Sequence, residues 1–316
     1  MHVSVVVPAF NVAPWVGQTL ASVLAQTYGA WTLHLIDDGS TDGTAEAVGR
    51  CADPRIHLLR QDNRGVAVAR NRGLGLARGE AVLFLDADDR LAPDALARLT
   101  CALTAEPRAV AAAGGFAFVP DRATASMPGR THSRMPRGDL LPLVLERNPF
   151  ANGGHVLVRR AAAERAGGFP AGLAYGEDWV FWIRLAQLGP FAALRRGPPV
   201  LAVLQRAGSA YQRMASDPAA FRPCMAAIFA DAGLAARFGP ARLARLRRRA
   251  EAENDWIVGR ELIRHGQPEA GRAWLRRSVI AKPGPRRAIL LAASHVLAML
   301  PEAAHGPFRA YPSAGA

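Results

Sequence analysis

Residues 81–90 read AVLFLDADDR: five apolar residues run straight into Asp86, Ala87, Asp88 and Asp89. An apolar run this short, bounded by polar residues, reads as a β-strand buried on both faces. Carboxylates at the C-terminal end of such a strand face the crevice in which open α/β sheets bind ligands. Acids packed this closely repel one another unless a positive charge offsets them. A divalent cation holding a diphosphate does so, and all-oxygen donors suit Mg²⁺ or Mn²⁺. The competing reading is a strand end and a solvated acidic turn, with Asp89 or Asp94 capping the next helix.

Outward from this stretch, strands are expected at 3–8, 31–36, 56–60, 81–85 and 110–119, and helices at 14–26, 44–51, 65–77 and 93–105. Val16, Leu20, Val23 and Leu24 carry the helical spacing of the first helix, Pro8 stops the first strand, and Pro93 opens the last helix. Ser40, Thr41 or Asp42 is suited to cap the helix that follows. Regular alternation of strand and helix predicts an α/β fold with a mostly parallel sheet covered on both faces. Residues 120–149, rich in Pro, Arg and Gly, break the rhythm and read as a loop with a short helix at 139–145. A strand at 155–159, helices at 161–166 and 177–188, and strand-like pieces within 192–203 follow. From about residue 215 the pattern turns helical, at 219–238, 240–265, 268–280 and 286–300.

Half of the 316 residues are hydrophobic, which suits a globular chain able to bury a full core. Cys51, Cys101 and Cys224 are odd in number and far apart, so they suggest neither a disulfide framework nor a zinc site and fit a reducing compartment. No run has the length of an export signal or a membrane span, which gives the expectation of a cytoplasmic protein. The net charge of +13 is uneven: residues 236–316 hold 15 Arg and Lys against 6 Asp and Glu, a balance of +9. Such a surface suits anionic lipid or phosphorylated substrates, though solvated Arg-rich helices would look the same.

Five segments in this order carry a resemblance: VSVVVPAFN at 3–11, LIDDGSTDGT at 35–44, NRGVAVARNRGLGLARGE at 63–80, LFLDADD at 83–89 and GGFPAGLAYGEDWVFWIRLA at 167–186. Together they resemble the family 2 glycosyltransferases, over about residues 1–210. The resemblance implies a GT-A fold: a catalytic domain at 1–212, with a nucleotide-binding half at 1–119 and an acceptor half at 120–212. A basic helical extension at 213–316 lies outside it. It also implies an inverting, metal-assisted transfer of sugar from a nucleotide-diphospho-sugar, UDP-sugar first, to a hydroxyl of a glycan or lipid-linked acceptor. A place in bacterial polysaccharide biosynthesis is the expectation by family analogy.

The resemblance assigns roles position by position. Pro8, Ala9, Phe10 and Asn11 would frame the nucleotide, and Asp38 would accept from the base, unless it caps the helix that starts near Thr41. Arg70 would contact base or phosphates, unless it lies on a solvated face with Arg64, Arg72 and Arg78. Asp86-Ala87-Asp88 resembles the DXD motif, with Asp88 as the metal ligand for Mg²⁺ or Mn²⁺ and Asp86 reaching the metal through water or holding the ribose. Asp178 would be the catalytic base beside Glu177, against the reading of both as acids complementing a helix dipole. His155, Glu177 and Trp179 fall on the acceptor side, with core packing as the simpler role for His155 and Trp179. Arg206 would meet the diphosphate, while Ala207 stands where many relatives carry a histidine. For 286–300, an apolar set at Ile289, Leu290, Leu291, Val296, Leu297, Met299 and Leu300 behind a basic start suits peripheral contact with an anionic membrane surface or docking within the protein. Nucleic acid is not the expected partner, and self-association stays open.

Two other functions fit the residues less well. A sugar nucleotidyltransferase would carry a Gly- and Lys/Arg-rich loop after its first strand, where this chain reads PAFNVAPW. A catalytically inactive sugar-nucleotide-binding module would act through its C-terminal helices, and it has no need of Asp88 and Asp178 together.

Overall fold

The computed structural model describes residues 1–120, 131–195, 197–205, 219–264 and 266–297. The chain forms two compact units. Unit 1 comprises Met1–Val144, Asn148–Leu173 and Glu177–Gln205; unit 2 comprises Leu145–Arg147, Ala174–Gly176 and Arg206–Ala316.

Unit 1 is a mixed α/β layer structure. Strands β1 (Val3–Ala9), β2 (Trp31–Asp37), β3 (Ile56–Arg60) and β4 (Ala81–Phe84) are mutually parallel in the order β4-β1-β2-β3. Every residue of β1 and β4 is buried, as continuous apolar strands covered on both faces require. The crossovers are helices α1 (Ala13–Leu24), α2 (Thr44–Gly49) and α3 (Val66–Leu76). A β-carbon on Gly73 would stand 2.2 Å from Val6 Cγ1, so glycine lets α3 lie directly on β1. That contact brings Arg70, one turn earlier on α3, over the C-terminal ends of β1 and β4.

The stretch at 110–119, expected as one strand, is two. Strand β6 (Ala111–Ala113) joins the large sheet, and β7 (Phe116–Pro120) belongs to a second one; the chain changes sheets at Gly114-Gly115. The large sheet has seven strands in the order β10-β6-β9-β4-β1-β2-β3, with β9 (Val156–Arg159) antiparallel to both its neighbours and β10 (Phe191–Ala193) parallel to β6. The small sheet, β5-β11-β7-β8, unites the two-residue strands β5 (Arg90–Leu91) and β8 (Thr131–His132) with β7 and β11 (Leu201–Gln205). The region 192–203 is thus also split between two sheets. Helix α4 (Ala95–Ala105) follows β5; α5 (Leu141–Val144), α6 (Arg160–Arg165) and α7 (Glu177–Leu188) complete the unit.

Unit 2 is helical: α8 (Phe221–Phe229), α9 (Ala232–Phe238), α10 (Pro240–Arg264), α11 (Pro268–Ala281) and α12 (Pro285–Leu297). The expected single helix at 219–238 breaks because Asp231 caps α9, accepting from Leu234 N at 3.1 Å. Helices α10 and α11 cross where Gly259 and Gly271 meet; a β-carbon on either would stand under 3 Å from the other's carbonyl oxygen. Phe221, Val258 and Leu262 form a small core with Tyr175, Ile257 and Trp274. Glu253 receives Lys282 Nζ and Arg287 Nη2, each at 2.7 Å, which ties the end of α11 and the start of α12 to α10. Leu290 and Leu291 are half-buried rather than an exposed face, and 298–300 lie outside the described residues. No helix of the described residues is long and apolar enough to cross a membrane.

Candidate active site

The C-terminal ends of β1, β2 and β4 open onto one crevice, and the loops around it are held by a dense set of hydrogen bonds. Asn11, after β1, takes a left-handed backbone conformation (φ 52°). Its Oδ1 accepts from Thr41 N at 2.9 Å, while its own N–H donates to Ser40 Oγ at 3.0 Å. Val12 N donates to Thr44 Oγ1 and Ala13 N to Asp42 Oδ2. The segment DGSTDGT therefore zips the β1–α1 loop to the β2–α2 loop. This corrects its expected role as a simple cap: the capping position of α2 is Gly43, with no side-chain bond, although Asp42 also accepts from Thr44 N at 3.1 Å. Pro8 and Ala9 are buried at the end of β1, and Phe10 is 47% exposed.

Asp38 does not cap the helix near Thr41. Its buried carboxylate accepts from Gln61 Nε2 (2.7 Å) and Arg64 N (3.0 Å) on Oδ1 and from Gly65 N (2.8 Å) on Oδ2. It thereby anchors the loop that leads into α3. Asp37 accepts from Ser40 N and pairs with Arg60 Nε, both through its own oxygens.

Arg70 is buried, whereas Arg64, Arg72 and Arg78 are exposed, which removes the solvated-face alternative. Its Nη2 donates to Asp86 Oδ1 and its Nη1 to Glu177 Oε1, both at 2.8 Å. Burial works against its charge, but Asp86 and Glu177 outweigh that and hold its pKa above the ordinary value. One guanidinium thus joins the acidic turn after β4 to the first turn of α7. Helix α7 begins with Glu177 and Asp178, and its next residues, Val180 to Ile183, are buried.

Asp178 accepts from its neighbour Trp179 N at 2.7 Å and from Asn148 Nδ2 at 3.1 Å. Burial, then the charge of Glu177, raises its pKa to about 7; Arg70 and the two hydrogen bonds oppose the rise. Asn148 is itself oriented, since its Oδ1 accepts from Phe150 N. The sequence does not mark Asn148, because an Asn in a Pro- and Arg-rich loop carries no motif signal.

In the turn after β4, Ala87 O accepts from Thr19 Oγ1 at 2.8 Å, and Asp89 N donates to Asp86 O. Asp89 is buried and caps no helix. It accepts from Asn152 Nδ2 (2.5 Å) and Leu204 N (2.9 Å), and Asp94 makes no capping bond either. Burial and the charges of Asp88 and Asp86 push the Asp89 carboxyl well above the usual carboxylate range. Among the described residues no three His, Cys, Asp or Glu side chains converge on a point that would hold a metal. The donors at the turn are all carboxylate oxygens, crowded enough for Asp88 and Asp86 to push the Asp89 carboxyl up, and Asp86 is already engaged by Arg70. This set fits a hard divalent ion that takes much of its shell from phosphate oxygens and water, as Mg²⁺ does.

Two expected acceptor-side residues are core instead. His155 is 0% exposed: Nδ1 donates to Gly114 O at 2.7 Å, Nε2 accepts from Ala151 N at 3.2 Å, and Phe116 and Phe150 pack on the ring. Burial lowers its pKa to about 4. Trp179 is 2% exposed, with Nε1 donating to Val144 O. Neither side chain is open to a ligand, because each is buried with its polar atoms bonded to backbone. The expectations at Arg206 and Ala207 lie outside the described residues.

Comparison with known proteins identifies the family. The pattern of glycosyl transferase family 2 matches residues 4–167, more than half of the chain. The succinoglycan biosynthesis protein ExoO of Rhizobium meliloti is 31% identical over 193 residues, covering 56% of this chain and 53% of ExoO. WfgD of Escherichia coli, named as a UDP-Glc:alpha-D-GlcNAc-diphosphoundecaprenol beta-1,3-glucosyltransferase, is 41% identical over 88 residues, 28% of this chain and 35% of WfgD. The chain thus spans about a third to a half of these relatives. Among solved structures, S. aureus TarS with UDP-GlcNAc superposes with a TM-score of 0.57 at 16% identity, over 91% of this chain and 92% of that one. The mannosyltransferase PcManGT of Pyrobaculum calidifontis with GDP-Man and Mn²⁺ gives 0.57 at 24% identity, over 95% and 81%. The mostly parallel sheet and its flanking helices have the GT-A architecture of those two structures, a helical region follows them, and the chain belongs to the family 2 glycosyltransferases.

Proposed function

We propose that the chain transfers a sugar from a nucleotide-diphospho-sugar to an acceptor hydroxyl with inversion at the anomeric carbon. The observation that carries the proposal is the Arg70 bridge. It holds Asp86, within the acidic turn, and Glu177, beside Asp178, on the same guanidinium, so two acidic motifs about 90 residues apart serve one crevice.

In this reading the zipped loops at Pro8, Ala9, Phe10 and Asn11 frame the nucleotide. Asp38 fixes the adjoining loop and offers the remaining lone pair of Oδ2 to a base imide N–H. Asp88 would hold Mg²⁺ or Mn²⁺, with Asp86 reaching it through water. When bound, such an ion offsets the charge of the departing diphosphate as a Lewis acid. Arg70 keeps Asp86 and Glu177 in place, and the expected contact of Arg206 is with the diphosphate.

Asp178 takes the acceptor proton. The acceptor oxygen attacks the anomeric carbon from the face opposite the leaving group. The bond from that carbon to the phosphate oxygen breaks, its electron pair goes to that oxygen, and the acceptor proton passes to the Asp178 carboxylate. A base with a pKa of about 7 is matched to neutral pH. With a single carboxylate base and no second carboxylate assigned as nucleophile, one displacement inverts configuration; the same logic separates one-step from two-step glycosidases.

The UDP-sugar preference and a glycan or lipid-linked acceptor are supported by the named activity of WfgD and the ligand of TarS. A GDP-sugar follows from PcManGT as the next choice. Use of a nucleotide-sugar supports a site of action on the cytoplasmic side of a membrane.

The test is a panel of sugar-nucleotides with Mg²⁺ or Mn²⁺, scored for nucleotide diphosphate release by wild type, Asp88→Ala and Asp178→Asn. Release from one donor, lost in both variants, supports the proposal and identifies the donor. Release that survives Asp178→Asn removes that residue as the base. Absence of both turnover and metal-dependent nucleotide binding overturns the proposal in favour of an inactive module.

A further inference from the structure

Unit 2 carries the two most exposed large hydrophobic residues of the described chain, Ile280 at 81% and Ile289 at 67%. They flank the connection between α11 and α12. Ile280 is the penultimate residue of α11, and Ile289 is the fifth residue of α12, about one turn from its start. Ala281, Pro283, Pro285 and Ala288 between them are exposed as well. The tip of this hairpin is therefore apolar and open to solvent, although it closes a charged network: Lys282 and Arg287, from the same connection, turn inward to Glu253.

The outward cations rim the apolar tip. Arg276, Arg277 and Arg286 are exposed. Arg277 lies over the Trp274 ring and 3.4 Å from Asp255. Among the described residues Arg276 and Arg286 form no ion pair with a carboxylate. Residues 266–297 hold six basic side chains and one acidic one, Glu269.

We propose that the α11–α12 tip docks on an anionic lipid bilayer, with Ile280 and Ile289 entering the headgroup layer and Arg276, Arg277 and Arg286 meeting lipid phosphates. Charge complementarity selects this occupant. A second copy of the same tip would bring like charges together. A nucleic acid backbone has phosphates for the arginines but no apolar layer for two isoleucines. A bilayer interface offers both, and basic residues near an anionic leaflet add to apolar insertion. No described helix is long and apolar enough to cross a membrane. The inference does not rest on the catalytic reading.

The experiment is co-sedimentation of the full chain with vesicles of phosphatidylcholine alone and of phosphatidylcholine mixed with phosphatidylglycerol, at low and high salt. The expected result is binding to the mixed vesicles only, released by high salt. Ile280→Asp with Ile289→Asp weakens it at least about tenfold, since two isoleucines no longer leave water. Arg276→Glu with Arg286→Glu weakens it by a similar factor at low salt. Circular dichroism and thermal midpoint stay unchanged in both variants, as does nucleotide diphosphate release in solution. Equal binding to neutral vesicles, binding untouched by these changes, or no binding overturns the proposal. So does a wild-type dimer in light scattering that Ile280→Asp dissociates, which assigns the tip to a second copy.

Discussion

Asn148 donates from Nδ2 to Oδ2 of Asp178 across 3.1 Å, while its Oδ1 is held by Phe150 N. The amide cannot turn over without losing both bonds. One Asp178 oxygen is fixed by Asn148 and the other by Trp179 N, so the carboxylate has a set plane.

Asn148→Ala is expected to lower turnover and to move the acidic limb of the pH–rate profile upward. The lost donor favoured the charged carboxylate, and a bond worth about 1 kcal/mol corresponds to roughly 0.7 in pH. A profile that falls uniformly, with its limb unmoved, would show that Asn148 acts only through packing.

For Asp178, kcat/KM is expected to rise as pH climbs through about 7, because the base must be ionised. Stability runs the other way. The native carboxyl keeps its proton to about 7, while in the unfolded chain it loses it near 4. The fold therefore loses stability as pH rises between those values. Asp178→Asn should remove turnover by a factor of about 100 or more. It should also raise Tm at pH 8, with the gain vanishing toward pH 4 in thermal scans.

Removing Arg70 leaves Asp86 and Glu177 facing each other with no cation between them. Arg70→Ala should cost about 3 kcal/mol or more in urea unfolding. Arg70→Lys should fall between the two, because an ammonium has no planar fork to serve two carboxylates at once. Near-native stability and turnover in Arg70→Lys would mean that charge alone, without geometry, holds the crevice.

His155 predicts acid sensitivity of the fold. Its native pKa is about 4 against about 6.5 unfolded, so stability is full above 6.5 and declines as pH falls toward 4. The whole interval is worth about 3 kcal/mol. In His155→Gln the acid limb of a stability–pH curve should flatten, though stability at pH 7 will also drop from repacking among Phe116 and Phe150. Turnover measured where the variant is folded should keep its pH optimum.

The sequence by itself determined the alternation of strands and helices through residue 105, the acidic turn after β4 and the acidic start of α7. These are local properties: apolar runs and the acids placed directly after them; Pro8, expected to stop the first strand, lies inside it, since β1 runs on to Ala9 paired with Asp37. It also carried the family, because five motifs in order restrict the fold more than any one does.

Tertiary structure alone decided which polar residues point into the crevice. Arg70 and Arg72 differ by two positions and are alike as letters, yet only Arg70 is buried, because the Gly73–Val6 contact fixes the rotation of α3 on the sheet. His155 and Trp179 look like site residues in a string and are core in three dimensions, since each ring satisfies its polar atoms with backbone from a different segment. The split of 110–119 between two sheets is likewise set by what pairs with each half, which no local spacing encodes.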